Sequence, residues 1–433
     1  MQRKREGRYA ASGRERVARG STLKPERRVT RRRWLRGAAL ALGGLVGLRV
    51  LLPWWWRRRP PRPLSAGARA RIDALFEGID RASMWDVHVH LVGLGAGATG
   101  CWVNPRMRTH LHPVLRLQYE LYMDAGGIED PERADRQYVE TLLATHRGAN
   151  PEGRLVALAF DWHVDESGRE RPELTPFHVP DDYVLGLAER HEAFVPCASV
   201  HPYRRDALAR LDAALARGAR AIKWLPNAMG MDPLSARCDS FYRRLADADV
   251  PLLTHGGHES AVEATGQQRL GNPLRLRRAL DHGVRVVLAH YGSLGDGEDL
   301  DDPARGPVPN VELTRRLLAE YGRGDALHVD ASAITFVNRA GGVLREVLEA
   351  TEHHDRLVNG SDYPLPAIDP VISTWLLQWK GFLEPDERAL CEEVFDANPL
   401  LFDFVVKRLV GVRTGSGVVR FPLSMFETAH LYR

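Results

Sequence analysis

Residues 85–90 read Trp85-Asp86-Val87-His88-Val89-His90. Apolar and polar residues alternate, and side chains two apart on a strand share a face. The pattern predicts a strand with Asp86, His88 and His90 on one side and Val87 and Val89 on the other. Two neutral imidazoles on one strand edge can bind a single divalent cation. His110-Leu111-His112 has the same spacing. No strand-like run leads into it, so that pair reads as surface.

Downstream, short apolar runs end in a polar residue and are followed by helical stretches. The runs read as strands end at His90, Asp161, Val200, Lys223, His255, His290, Asp330 and Asp362, at intervals of 71, 39, 23, 32, 35, 40 and 32 residues. After the first, these are the lengths of βα units. Helical patterns lie between them at 206–217, 240–248, 273–282, 311–321 and 342–351. Eight repeats predict an α/β fold, a (β/α)8 TIM barrel over residues 83–412. A doubly wound sheet has similar spacing. The long first interval predicts an inserted lid at 91–154. Its glycines (Gly93, Gly95, Gly97, Gly100) lack the Lys-Ser/Thr that a phosphate loop needs. A last helix is expected at 398–410, and residues 413–433 form a tail of unassigned role.

In a parallel barrel the carboxyl ends of all strands meet on one face, where catalysis takes place. His88, His90, Lys223, His255, His290 and Asp362 would converge there. An interior aspartate facing several histidines is an uncompensated buried charge unless a cation joins it. Asp161, His201 and His258 follow strands closely. Asp161 is weighed as a substrate contact, His201 as a turn cap, and His258 and Glu259 as residues that orient the ligands.

The chain has 433 residues, 44% hydrophobic and 27% charged. That composition excludes extensive disorder and a polytopic membrane protein. Four well-separated cysteines, Cys101, Cys197, Cys238 and Cys391, exclude a disulfide scaffold and a Cys-rich zinc module. Charge is segregated. Residues 1–64 hold 19 Lys/Arg against 3 Asp/Glu, leaving 41 against 53 in the remainder. Residues 1–36 form a basic tail without an apolar core. The apolar run 37–56 has the roughly 20 residues a membrane span needs, with Trp54, Trp55 and Trp56 at its end. The same run could instead lie on an anionic membrane surface. Residues 57–82 read as a linker and short helix. Thr30-Arg31-Arg32-Arg33-Trp34-Leu35-Arg36 resembles a twin-arginine export signal. Arg57, Arg58 and Arg59 directly after the apolar run favour an uncleaved anchor. The expectation is a membrane-anchored protein with a periplasmic or extracytoplasmic domain, a small-molecule substrate and no nucleic-acid partner. A homo-oligomer is compatible with it.

Asp86-x-His88-x-His90, Leu252-Leu253-Thr254-His255-Gly256, Leu288-Ala289-His290-Tyr291-Gly292, Gly360-Ser361-Asp362-Tyr363-Pro364 and Asn398-Pro399-Leu400-Leu401-Phe402 together resemble the amidohydrolase superfamily. They are most similar to its amidohydrolase-related branch, which includes metal-dependent hydrolases and aminocarboxymuconate-semialdehyde-type decarboxylases. The resemblance covers roughly residues 83–410. It implies that His88, His90, His255 and Asp362 bind a divalent metal, commonly zinc. It also implies that Asp362 acts as general base on metal-bound water and that His290 polarises the substrate. Binuclear relatives carry a carboxylated strand-four lysine, which would make Lys223 a bridging ligand and His255 and His290 ligands of the second ion. Lys223 could otherwise reach outward or bind a substrate carboxylate. The expected reaction is attack of metal-bound hydroxide on an amide, ester or lactone carbonyl. The rivals are non-oxidative decarboxylation of an aromatic or unsaturated acid, and an inactive binding barrel at a membrane.

Overall fold

The eight predicted strands form one parallel sheet in a computed structural model that describes residues 61–432 apart from Thr265 and Ser416. The basic tail 1–36, its twin-arginine-like motif and the apolar run 37–56 lie outside the described residues. Among the described residues no helix is long and apolar enough to cross a membrane. The strands are β1 (Trp85–His90), β2 (Arg154–Leu158), β3 (Phe194–Ala198), β4 (Ala221–Trp224), β5 (Leu252–His255), β6 (Val286–Ala289), β7 (Leu327–Asp330) and β8 (Leu357–Val358). Each pairs with the next in chain order. The segment after β8 returns to β1 through Val87 N to Asn359 O (3.0 Å), Asp362 N to His88 O (2.9 Å) and His90 N to Tyr363 O (3.0 Å). This closes the barrel and removes the doubly wound alternative.

β1 departs from simple alternation. Asp86 pairs with Leu155 and Val89 with Ala157, so two residues of β1 face one of β2. Such a bulge re-aims the side chains that follow it. Trp85 and Val87 pack inside the barrel with Val156, Leu158 and Val195, whereas Val89 belongs to the layer between barrel and helices. The expectation that Val87 and Val89 share one side is thereby corrected. So is the expectation that Asp86 shares a side with His88 and His90. The Asp86 carboxylate accepts instead from Ser361 N at 2.8 Å and His88 N at 3.1 Å, tying β1 to the segment after β8.

The helices follow their local chemistry. Ala66–Phe76 starts at Ser65, whose hydroxyl accepts from Ala68 N. Pro399–Leu409 starts at Asn398, which accepts from Leu400 N and Leu401 N (3.0 Å each), with proline at the first helical position. The 273–282 stretch is a 3-10 turn, Pro273–Leu276, followed by a short helix, Arg277–Asp281. The 91–154 segment divides in two. Its first part carries the helix Pro113–Ala125 and contributes Val103, Met107 and Tyr122 to the mouth of the barrel. Its second part, Ala134–Ala149, is a barrel helix that packs beside Pro399–Leu409.

The C-terminal segment has a clear structural place. Ala429, Leu431 and Tyr432 join the interior cluster of the barrel. Thr428 Oγ1 donates to the Trp85 carbonyl, and Arg285 Nη1 donates to Leu431 O. Trp85 opens β1 and Arg285 immediately precedes β6, so this segment plugs the end opposite the strands' carboxyl termini.

Candidate metal centre

The carboxyl ends of β1, β4, β5 and β7 and the segments after β6 and β8 bring four imidazoles, a lysine and two carboxylates together. His88 Nε2 lies 3.2 Å from His90 Nε2, 3.7 Å from Asp362 Oδ1 and 3.1 Å from Lys223 Nζ. His90 Nε2 lies 3.2 Å from Asp362 Oδ1. Ligand atoms of His88, His290 and Asp362 all lie within 4.8 Å of one another. The His255 ring packs edge-on against His290 with centroids 5.1 Å apart. The structure therefore draws His88, His90 and Asp362 into one contact group, sets His290 inside it and places His255 beside His290.

Backbone shape contributes to this convergence. His290, Tyr291 and Asp362 have positive φ (56°, 54° and 61°), a region costly for residues with a Cβ and often found at functional sites. Gly360 allows the segment after β8 to close on β1. A Cβ there would lie 2.6 Å from the His88 Cβ.

Hydrogen bonds orient the rings. His88 Nδ1 donates to Asp330 Oδ2 at 2.8 Å, leaving Nε2 with its lone pair toward the centre. Asp330 Oδ1 also accepts from His290 N (2.8 Å), Ser332 N (2.9 Å) and the Ser332 hydroxyl. His290 Nδ1 sits 2.7 Å from Ser332 Oγ. His255 Nδ1 lies 3.4 Å from Glu259 Oε2, while its Nε2 is buried without a hydrogen-bond partner among the described residues.

Burial dominates the protonation states. It pulls His90 to about 4 and His290 to about 3, and drives His255 well below the ordinary imidazole value. Burial opposes ionisation of Asp362, yet the imidazoles of His290, His90 and His88 hold it well below the carboxylate range. Asp330 is lowered in the same way by His88 and His290 against its burial. Burial pulls the Lys223 ammonium down, against Asp330 and Asp362. At neutral pH His90, His255 and His290 therefore offer unprotonated nitrogens beside carboxylates, the donor set a divalent cation needs. The partnerless His255 Nε2 and the facing Nε2 atoms of His88 and His90 fit that requirement.

Other predicted residues lie elsewhere. Asp86 braces β1 from outside the cluster. Asp161 forms a buried bidentate ion pair with Arg204 (2.6 and 2.8 Å) and accepts from His201 N, so it does not face the site. His258 lines the pocket, but its Nε2 bonds Asp296 O at 2.9 Å and its N bonds Leu294 O. It therefore fixes the 294–296 loop. His110 and Leu111 are exposed, and His112 precedes the lid helix. His201 is fully buried, with Nε2 toward Met229 O and Nδ1 accepting from Tyr203 N.

The neutral His201 tautomer has a testable consequence. Burial pulls its pKa to about 3, so the unfolded chain gains a proton below about 6.5 that the folded chain does not. Stability present above that value is lost as pH falls toward 3, at about 1.4 kcal/mol per pH unit. Urea titrations between pH 7 and 4 should show a shallower acid-side loss in His201→Gln than in the wild type. Parallel curves would contradict this account.

Three contributors escaped the sequence reading as site residues. Asp330 was visible as a strand end, but its bond to His88 requires β7 to lie near β1. Ser332 and Arg339 follow β7 in a loop without a motif. Arg339 is buried and lines the pocket, and burial pulls its guanidinium down to about 10, against Asp362, Glu259 and Asp330. Burial likewise raises Glu259 to about 7.

Several solved structures resemble the chain. An uncharacterised TIM-barrel protein from Bordetella bronchiseptica is 16% identical, with a TM-score of 0.44 over 74% of this chain and 99% of its own. 2,6-Dihydroxybenzoate decarboxylase from Rhizobium is 13% identical, with a TM-score of 0.35 over 61% and 87%. 4-Oxalomesaconate hydratase from Rhodopseudomonas palustris is 12% identical, with a TM-score of 0.38 over 75% and 96%. No curated protein matches the sequence significantly. The amidohydrolase family model matches residues 85–400, from the first residue of β1 to the start of the last long helix. With that match spanning the barrel and every residue of the cluster, the chain belongs to the amidohydrolase family.

Proposed function

We propose that the chain is a metal-dependent hydrolase acting on an amide, ester or lactone carbonyl. The supporting observation is the gathering of His88, His90, His290 and Asp362 about one point, with His88 already oriented by Asp330. His88, His90, His255 and Asp362 are the proposed ligands, and zinc suits such imidazole and carboxylate donors. A divalent cation bound there supplies Lewis acidity and makes water nucleophilic at neutral pH.

The chain's own residues divide the remaining work. Asp330 holds the Nδ1 proton of His88 and so keeps Nε2 as its donor atom. Asp362 accepts the proton of the attacking water on its carboxylate and returns it to the leaving group. His290, held by Ser332 through Nδ1, directs Nε2 toward the carbonyl to be polarised. The apolar lid keeps bulk water from the reacting groups. Lys223 acts either as a buried cation near Asp330 and Asp362 or, carboxylated, as a bridge between two ions.

Elemental analysis of the purified chain should find about one zinc-like ion per molecule, removable by chelator. Two ions, with an intact mass raised by one carbon dioxide, would identify the bridged form. Turnover in isotopically labelled water should place labelled oxygen in the product. Release of carbon dioxide without label would overturn the hydrolase assignment in favour of the decarboxylase and leave the metal centre standing. Absence of stoichiometric metal would overturn both.

A further inference from the structure

The pocket over the cluster is walled mainly by apolar side chains, among them Val103, Met107, Tyr122, Phe160 and Phe336. Beyond the metal cluster the polar lining is His258, Glu259, Ser260, Asn338 and Arg339, and Arg339 is the one cation of that group. It is only 5% exposed. Its Nε donates to Ser293 Oγ at 3.1 Å and its Nη1 to Asn338 Oδ1 at 3.2 Å, both neutral acceptors. A guanidinium carries five N–H donors in a planar fork, so most of its capacity is unused. Among the described residues no carboxylate lies within ion-pair distance of it, whereas buried Arg204 is fully paired with Asp161 and Glu170.

Burying a charge without a partner is costly, and proteins accept that where a ligand supplies the partner. An arginine fork fits a planar carboxylate edge to edge. The other cationic side chain on this pocket, Lys223, lies against His88. One fork with unused donors, in a mainly apolar wall that also carries Glu259, suits a monoanion with an apolar body rather than a phosphate dianion.

We propose that Arg339 is a carboxylate-binding residue and that the substrate is an organic acid with an apolar body. Its carboxylate is held at Arg339 while another group reaches the imidazole cluster. This deepens the proposed function and rests on the cluster being the reaction centre.

Benzoate and benzamide have the same shape and differ in charge, so their binding to the full-length, metal-loaded chain, measured by calorimetry, is the test. Benzoate should bind at least about tenfold more tightly than benzamide. Arg339→Met should abolish that preference without changing metal content. Equal binding of both probes, or a preference retained in Arg339→Met, would overturn the proposal, the latter because the carboxylate then sits on the metal. Should Arg339→Met fail to fold, chelator-stripped wild-type protein decides. A preference that survives metal removal supports Arg339, and one that disappears overturns it. A wild type that discriminates but never holds metal defeats the functional reading alone. A wild type that holds metal but does not discriminate defeats this proposal alone.

Discussion

Asp362→Asn is expected to purify as a folded protein with metal affinity lowered about 10- to 100-fold and turnover lowered about 100- to 10,000-fold. The substitution keeps the shape of the side chain and removes its charge. Asp362 is buried, lies 3.2 Å from His90 Nε2 and is kept ionised by the surrounding imidazoles. The proposed function makes it both a ligand and the proton acceptor, so the two losses should appear together. Metal titration and steady-state rates separate them, because excess metal should restore occupancy but not rate. A variant with wild-type rate at saturating metal would remove Asp362 from the chemistry. Asp330→Asn provides the contrast. It weakens the orientation of His88 but leaves the general base, so it should lower metal affinity with a smaller effect on the rate at saturation.

The largest effect on stability is expected from Lys407→Met. Lys407 is fully buried in the last long helix, and its Nζ donates to Asp403 Oδ2 (2.7 Å), Gly360 O (2.6 Å) and Asn359 Oδ1 (3.2 Å). One ammonium thus clamps the segment that carries Asp362 to the helix behind it. Removing it leaves three buried polar groups without their cation, at a cost of about 3–5 kcal/mol. The thermal midpoint should fall by roughly 5–10 °C. Lys407→Met combined with Asp403→Leu should recover part of the loss, because no buried charge then remains. A midpoint within about 1 °C of the wild type would contradict this role. The clamp also predicts that the single variant binds metal more weakly, through displacement of Asp362.

Much of the site was legible because barrel geometry turns sequence order into spatial order. Eight short apolar runs ending in polar residues, with helical stretches between them, are local patterns that tertiary contacts did not override. His88, His90, His255, His290 and Asp362 each announce themselves at a strand end. Position along a strand says less about which way a side chain points. Alternation placed Asp86 on the side of His88 and His90, but the bulge in β1 reversed the parity and set Val87 inside the barrel. Asp161 ended its run as convincingly as Asp362 does. Arg204, 43 residues later, takes up its carboxylate.

The amino-acid sequence by itself determined the repeating βα architecture, the identity of the histidines and aspartate at the catalytic face, and the family. These depend on periodicity and on residue chemistry within a few positions. Tertiary structure alone decided that Asp330 orients His88, that His290 stands inside the ligand group, that the C-terminal segment plugs the barrel, and that Arg339 faces the pocket with no carboxylate in ion-pair distance among the described residues. These are matters of partnership between groups remote in the chain, and a buried charge takes its role from the neighbour that does or does not meet it.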